Sequence, residues 1–390
     1  MNILVVIHNQ TNTGTFDKVL EQCDALCKLG HDVTLLCTSP KARFLTNKKR
    51  INGVNIIEFP DLLWKRLRQG IDIWNLINRM FFTAMHNFDI VHGIDCRPVV
   101  IFPALFLKKI RKIPLVLSWW DLFGGGATAL ERSGKFYDCT FGKIETFFEQ
   151  YFRKYADYSI VVSSLLKHRL ISLGIREEYV KILRVGAKKN HFPLINKKTA
   201  RNALNLPEDE IIYCYAGAIF QSDLELLIKA LTIIKIKHKK NPLTILIGQH
   251  KIQSDICNEL NIMLVERLPG LKDVYLYFNA SDYGLLPFNV SISNQARWPS
   301  KISDYVAANL PIIATPISDL GEIFLRYNIG FLASSDTAEN YSQVLLESFN
   351  ASNELRKNQI RDCQKLMEKE LDWELIASET LKIYETVLNQ

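Results

Sequence analysis

The sequence predicts an α/β protein made of two doubly wound halves, and three observations carry that prediction. Short apolar runs alternate with amphipathic stretches from the first residue onward, which is the pattern of parallel strands joined by helical crossovers. The alternation breaks once, around residue 190, and then resumes. At 390 residues the chain can fill two domains, each burying its own core without disulfides or structural metal.

The elements follow in order. Residues 2–7 (NILVVI) read as a buried strand, residues 15–29 have helical periodicity, and Gly30-His31-Asp32 turns the chain into a second strand at 33–37, completing a βαβ unit. Strands continue at 55–59, at 90–91 with His92 at the end, at 115–118 and at 159–163. Residues 181–198 (KILRVGAKKNHFPLINKK) are rich in Lys, Asn, Gly and Pro and read as a connection. Strands resume at 211–216, 243–247, 262–265, 282–286 and 311–314, with helices such as 224–237 and 301–308 between them. Residues 366–388 read as one closing helix carrying Trp373 and Tyr384. The expected domains are therefore 1–190, 191–370 and a C-terminal helix, 371–390, that packs back toward the first. Ligands are expected in a cleft lined by the carboxyl edges of the two sheets.

Charge separates the halves. Residues 1–200 hold 30 Lys and Arg against 17 Asp and Glu, whereas residues 201–390 hold 18 against 24, so the net +7 averages a basic half with an acidic one. A basic half suits a negative partner: nucleic acid, an anionic membrane or a phosphorylated substrate. The nucleic-acid reading is the weakest, because no binding motif is visible and the basic residues are dispersed. The longest apolar run, 99–107, is about half of the ~20 residues that cross a bilayer. The N-terminus reads as a strand and not as a signal peptide, so a cytoplasmic location is expected. Eight scattered cysteines form neither paired C-x2-C clusters nor a disulfide framework, and no metal site is expected.

Several residues suggest chemistry. The loop from His8 to Thr15 leads through Gly14 into a helix N-terminus, which could hold a phosphate or could simply be capped by Thr and Asn. It lacks the G-x-G-x-x-G of a dinucleotide site. Asp121 lies in SWWDLFGGGA beside Trp119 and Trp120, and Gly124, Gly125 and Gly126 would let backbone approach a ligand or move as a lid. This suits sugar stacking with a basic partner, the alternative being a turn cap with core tryptophans. His92 ends a strand, where a single histidine is either functional or structural. In RWPSKISDYVAANLPIIAT (297–315), Lys301 and Asp304 share a helix face. They could bind a diphosphate and two ribose hydroxyls, or form a surface ion pair.

That last stretch resembles the donor-binding signature of family-four glycosyltransferases, P-x-K-x-x-E-Y-x-A-x-G-x-P-V-V-A-T. Other segments are similar in order and spacing: Gly30-His31-Asp32-Val33, Asp89-Ile90-Val91-His92, Val185-Gly186 through Phe192-Pro193, Tyr215-Ala216-Gly217, Leu246-Ile247-Gly248, and Asp372-Trp373 with Tyr384. The resemblance covers nearly the whole chain.

It implies a GT-B fold of two Rossmann-like domains, acceptor-binding in 1–190 and nucleotide-sugar-binding in 191–370. It further implies retention of anomeric configuration and no metal or other cofactor. By the resemblance, Gly14 faces the diphosphate, Lys301 clamps it, Asp304 binds ribose, Arg267 lies near the base and Gly217 opens the donor domain, with Arg297 able to add positive charge. His92, Trp119, Trp120 and Gly125 are expected on the acceptor side, with Asp121 and Lys301 as catalytic residues. The chain departs from the family pattern at Ala296, where the first glutamate of E-x7-E would stand, at Ala218 and Ser222 in place of Arg and Lys, and at Trp120 in place of the histidine of T-x-H-D.

Residues 62–82 (LLWKRLRQGIDIWNLINRMFF) interleave Trp64, Trp74, Phe81 and Phe82 with Lys65, Arg66, Arg68 and Arg79, which suits an anionic membrane interface, as does the cluster 108–112. The alternative is a core-facing stripe with a basic back. The expected function is a retaining glycosyltransferase moving a sugar from a nucleotide-sugar to a lipid-linked or saccharide acceptor, in surface polysaccharide or glycolipid synthesis at the inner membrane face. The alternative is a catalytically degenerate GT-B protein acting as a binding or regulatory subunit.

Overall fold

The computed structural model describes residues 1–63, 70–125, 127–128, 130, 138–188 and 195–390. The chain forms two compact units. One comprises Met1–Gly186, Ala296–Trp298 and Asp372–Gln390, and the other Ala187–Gln295 and Pro299–Leu371.

The first unit is built on an eight-stranded sheet. Its strands are β1 (Asn2–Gln10), β2 (Asp32–Thr38), β3 (Asn47–Ile51), β4 (Val54–Phe59), β5 (Ile90–Ile94), β6 (Leu115–Trp119), β7 (Tyr158–Val161) and β8 (Val180–Ile182), in the order β3-β4-β2-β1-β5-β6-β7-β8. All pairs are parallel except β3 with β4. The order reverses between β1 and β5, so the loops leaving those two strands diverge and open a crevice at their carboxyl ends. Leu4, Val6, Val91 and Leu117 on the sheet pack against Val100, Ile101 and Ala104 of the helix Pro98–Arg111. That helix starts on proline, which needs no N–H partner there, and ends on Lys108, Lys109 and Arg111, whose charges suit its negative dipole end.

The second unit carries β9 (Ile212–Ala216), β10 (Leu243–Ile247), β11 (Ile262–Val265), β12 (Tyr283–Leu286), β13 (Ile312–Ala314) and β14 (Gly330–Leu332), all parallel, in the order β11-β10-β9-β12-β13-β14. The order reverses at β9, placing its second crevice beyond Ala216. Gly284 on β12 is obligatory, since a Cβ there would lie 2.6 Å from the Tyr305 ring.

Three strands escape the sequence reading. β3 (NKKRI) is a polar edge strand with no apolar alternation, while β8 and β14 are each three residues long. The closing helix is also not continuous. It runs Asn353–Leu366, widens into a π-turn at Met367–Leu371, and restarts as Trp373–Leu388 where Asp372 accepts the Glu374 N–H at 3.1 Å. This last helix belongs to the first unit and packs along the helix Gly14–Lys28, with the Trp373 indole donating to Glu21 at 2.9 Å.

Trp64, Lys65, Arg66 and Arg68, Gly126, and Phe192 with Pro193 lie outside the described residues. The helix expected within 62–82 runs Ile73–Met85 and begins where Asp72 accepts the Asn75 N–H at 2.8 Å. Among the described residues, no helix is long and apolar enough to cross a membrane.

Candidate functional site

In the second unit the site grows from residues at the carboxyl edge of the sheet. Gly217 follows β9 with φ +104 and Gly248 follows β10 with φ +136, backbone conformations that favour glycine. Lys301, in the first turn of the helix Ser300–Ala307, reaches over this edge. Its Nζ lies 5.0 Å from the centre of the Tyr215 ring and 6.0 Å from that of Phe288, a cation held over two aromatic faces. A Cβ on Gly217 would stand 3.3 Å from both Cε and Nζ of Lys301.

The surrounding groups are fixed. Tyr215 is buried and donates to the Ala218 carbonyl at 2.6 Å. Phe288 is set by Thr315, whose hydroxyl accepts the Phe288 N–H at 3.1 Å and donates to its carbonyl at 2.6 Å. Asp223 accepts both the backbone N–H and the side-chain amide of Asn289, at 2.8 and 2.7 Å, tying the loop after β12 to the helix Gln221–His238. His250 stands over Tyr215 with ring centres 6.2 Å apart. Burial holds its pKa below the usual value, and the Lys301 charge pushes the same way. Asp304 is half-buried one turn beyond Lys301, and Arg267 is exposed two residues past β11. Ala296, where the family's first glutamate would stand, is fully buried, and its carbonyl accepts from the Ser163 hydroxyl at 2.5 Å. Arg297 beside it falls, by contacts, in the first unit.

In the first unit the expected residues divide. Asp121 is half-buried at the end of β6. Close to it is an acid that the sequence reading missed, Asp95, which directly follows β5 with φ +60 and accepts the Trp120 N–H at 3.1 Å. Burial first, and the Asp121 charge second, raise the Asp95 pKa to about 7. At neutral pH a substantial fraction of Asp95 is thus protonated.

The glycine loop is clamped. Glu149 accepts the N–H groups of Phe123 and Gly124 at 2.7 and 2.8 Å, and Thr146 accepts that of Gly125 at 2.7 Å. A Cβ on Gly124 would meet Thr146 Oγ1 at 2.1 Å, so this glycine serves close packing on the helix Lys143–Tyr151 and not movement as a lid. Gly125 is exposed with φ +68. Arg97 lies 4.4 Å from the centre of the Phe123 ring and donates to Glu145 at 2.7 Å, while His8 meets the same ring edge-on. His8, Asp95, Arg97, Glu149 and Arg153 are scattered in sequence and converge only through the strand order. The one local signal is the run HGIDCRP, which begins in the last residues of β5.

Three of the residues expected on the acceptor side are buried. His92 is buried, with Nδ1 2.7 Å from the Tyr384 hydroxyl and Nε2 2.7 Å from that of Ser118, so no ring nitrogen is left for an acceptor. Trp119 is fully buried, its indole donating to the Asp121 carbonyl at 2.9 Å and its ring covered by Arg153 at 4.0 Å, and it offers no face for stacking. Trp120 is likewise buried. Gly14 begins its helix with open space around its Cβ position, and Thr13 caps that helix by accepting the Phe16 N–H at 3.3 Å. Among the described residues, no three His, Cys, Asp or Glu side chains are grouped to hold a metal ion.

Comparison with known proteins follows the division into two units. The model described as Glycosyltransferase Family 4 matches residues 18–187, and that described as Glycosyl transferases group 1 matches residues 196–365. No curated protein matches the chain by sequence. Among solved structures, sucrose-phosphate synthase from Thermosynechococcus elongatus is similar at 15% identity with a TM-score of 0.76, covering 100% of this chain and 99% of that one. The Anabaena protein HepE in complex with UDP and glucose is similar at 13% identity and TM-score 0.70, over 99% and 100% of the two chains. A glycosyltransferase from Rickettsia africae is similar at 16% identity and TM-score 0.69, over 100% and 99%. With both of its halves matched and its fold shared along the whole length, the chain belongs to the family-four glycosyltransferases of GT-B fold.

Proposed function

We propose that this glycosyltransferase moves a sugar from a nucleotide-sugar donor held by the second unit to a lipid-linked or saccharide acceptor met by the first, in surface polysaccharide or glycolipid synthesis. The observation that carries the reading is Lys301, poised beside the bare backbone of Gly217 at the switch point of the second sheet. Breaking the bond between the anomeric carbon and the diphosphate leaves growing negative charge on phosphate oxygen, and a fixed ammonium there lowers the barrier. Asp304, one turn on, is suited to accept hydrogen bonds from ribose hydroxyls. The presence of UDP and glucose in a structure of similar fold supports a nucleotide-sugar as donor.

On the acceptor side, Asp121, half-buried just past the carboxyl end of β6, is the carboxylate suited to orient or deprotonate the incoming hydroxyl. Transfer proceeds with retention and without a metal or organic cofactor. Ala296 and Ala218 favour one second reading, a degenerate protein that binds nucleotide without turning it over. Incubation with a panel of radiolabelled nucleotide-sugars, with and without a membrane lipid extract, separates the two: transfer of label to lipid or saccharide supports the proposal, and binding without turnover supports the second reading.

A further inference from the structure

The helix Ile73–Met85 packs Leu76 and Phe82 against the core, yet it also buries a polar stripe and exposes an apolar one. Asn75, Arg79 and Thr83, four residues apart, are fully buried. Arg79 donates to Asn75 Oδ1 at 2.7 Å, to the Ile7 carbonyl at 2.7 Å and to Thr38 Oγ1 at 3.1 Å, pinning the helix to the ends of β1 and β2 through polar contacts. The opposite stripe, Ile73, Ile77, Phe81 and Met85, is also spaced four apart, and each side chain is 53–72% exposed. Scattered exposed apolar residues are ordinary, but a surface helix normally turns its apolar stripe inward. Here three turns of large apolar side chains face outward.

The patch extends at both ends. Arg43 donates to the carbonyls of Leu62 and Leu63 at 2.6 and 2.9 Å, and the Leu63 N–H donates to Asp72, the cap of the helix, so the exposed Phe44 and Leu45 belong to its starting end. At the other end Arg111 donates to the carbonyls of Thr83 and His86, bringing the exposed Ile110 alongside.

Positive charge borders this surface. A cavity of about 410 Å³ beside the last turn is lined by Lys48, Arg50, Phe82, His86 and Lys49, the last paired with Glu58, and Lys109, Arg111 and Lys112 lie at the end of the adjoining helix beside Lys108, which is paired with Asp157. A second copy meeting the same face about a two-fold axis would set these cations against one another. Anionic phosphates above an apolar layer complement both features at once.

We propose that this helix docks the first unit onto an anionic membrane surface, its apolar stripe entering the boundary between headgroups and acyl chains and the flanking cations meeting lipid phosphate. The inference needs nothing from the donor assignment, so vesicle binding and sugar transfer can fail separately. The test is sedimentation of the full chain with phosphatidylcholine vesicles containing about 30% phosphatidylglycerol, and with phosphatidylcholine alone. The wild type is expected to pellet with the anionic vesicles, more weakly at high salt, and not with the neutral ones. An Ile77→Asp/Phe81→Asp double variant, changed only at exposed positions, is expected to partition more than about tenfold less at an unchanged urea midpoint. Failure of the wild type to bind anionic vesicles, or equal binding by the variant, overturns the proposal. A wild-type dimer that the double substitution dissociates, with no vesicle binding, assigns the face to a second copy instead.

Discussion

The Lys301 ammonium stands 3.3 Å from where a side-chain carbon on Gly217 would be, so the second unit keeps a positive charge against backbone that cannot carry a side chain without displacing it. Two independent demands meet at Gly217, a φ of +104 and this close approach.

Gly217→Ala therefore strains the backbone and pushes Lys301 aside. The expected cost is about 1–3 kcal/mol of stability, read by urea denaturation, with nucleoside diphosphate affinity reduced about tenfold by titration calorimetry. A variant with wild-type stability and affinity would remove the glycine from the account.

His92 gives a pH signature. Burial lowers its pKa from 6.5 to about 3 in the folded chain. Between those values the unfolded chain takes up a proton that the folded chain refuses, so this histidine subtracts stability as pH falls from 6.5 toward 3, at up to about 1.4 kcal/mol per pH unit. His92→Phe removes that dependence but leaves the Tyr384 and Ser118 hydroxyls without their partner, costing about 2–4 kcal/mol at pH 7.5. Urea unfolding at pH 7.5 and pH 5 should show the variant less stable and its pH slope shallower. An unchanged slope contradicts the buried neutral ring.

Asp95 behaves in the opposite sense. Its folded pKa of about 7 lies above the ordinary 3.8, so the folded chain binds more protons across that window and stability declines as pH rises through it. Asn at this position keeps an oxygen for the Trp120 N–H and tolerates φ +60. Asp95→Asn should exceed the wild type by about 1–3 kcal/mol at pH 8 and match it near pH 4. Equal stability at both pH values would place Asp95 in a more polar setting than its burial indicates.

Asp121→Asn should lower transfer by about a hundredfold or more while leaving nucleotide binding intact. Loss of donor binding in that variant would move Asp121 out of its acceptor-side role.

Much of this was legible before the structure. Apart from β3, β8 and β14, the strands are legible as short apolar runs, and the stretch holding Lys301 and Asp304 combines a helix start, a cap and a strand at fixed spacing. What stayed hidden depends on distance in sequence. For His92 the sequence leaves a functional and a structural role both open, because nothing local reveals that Tyr384, 292 residues away, meets its Nδ1. Nothing local marks Asp95, because its raised pKa comes from burial and from Asp121, which follows the neighbouring strand β6. The helix Ile73–Met85 was visible as an aromatic and basic mixture, but only tertiary packing shows that Arg79 points inward and Phe81 outward.

The central claim is that the second unit grips a donor diphosphate through Lys301, and titration of UDP, GDP and ADP into the wild type and Lys301→Ala tests it directly. The account predicts that one nucleoside diphosphate binds the wild type, and that the variant, unliganded and equally stable, binds it about ten- to a hundredfold more weakly. Equal affinity in the two proteins would contradict it.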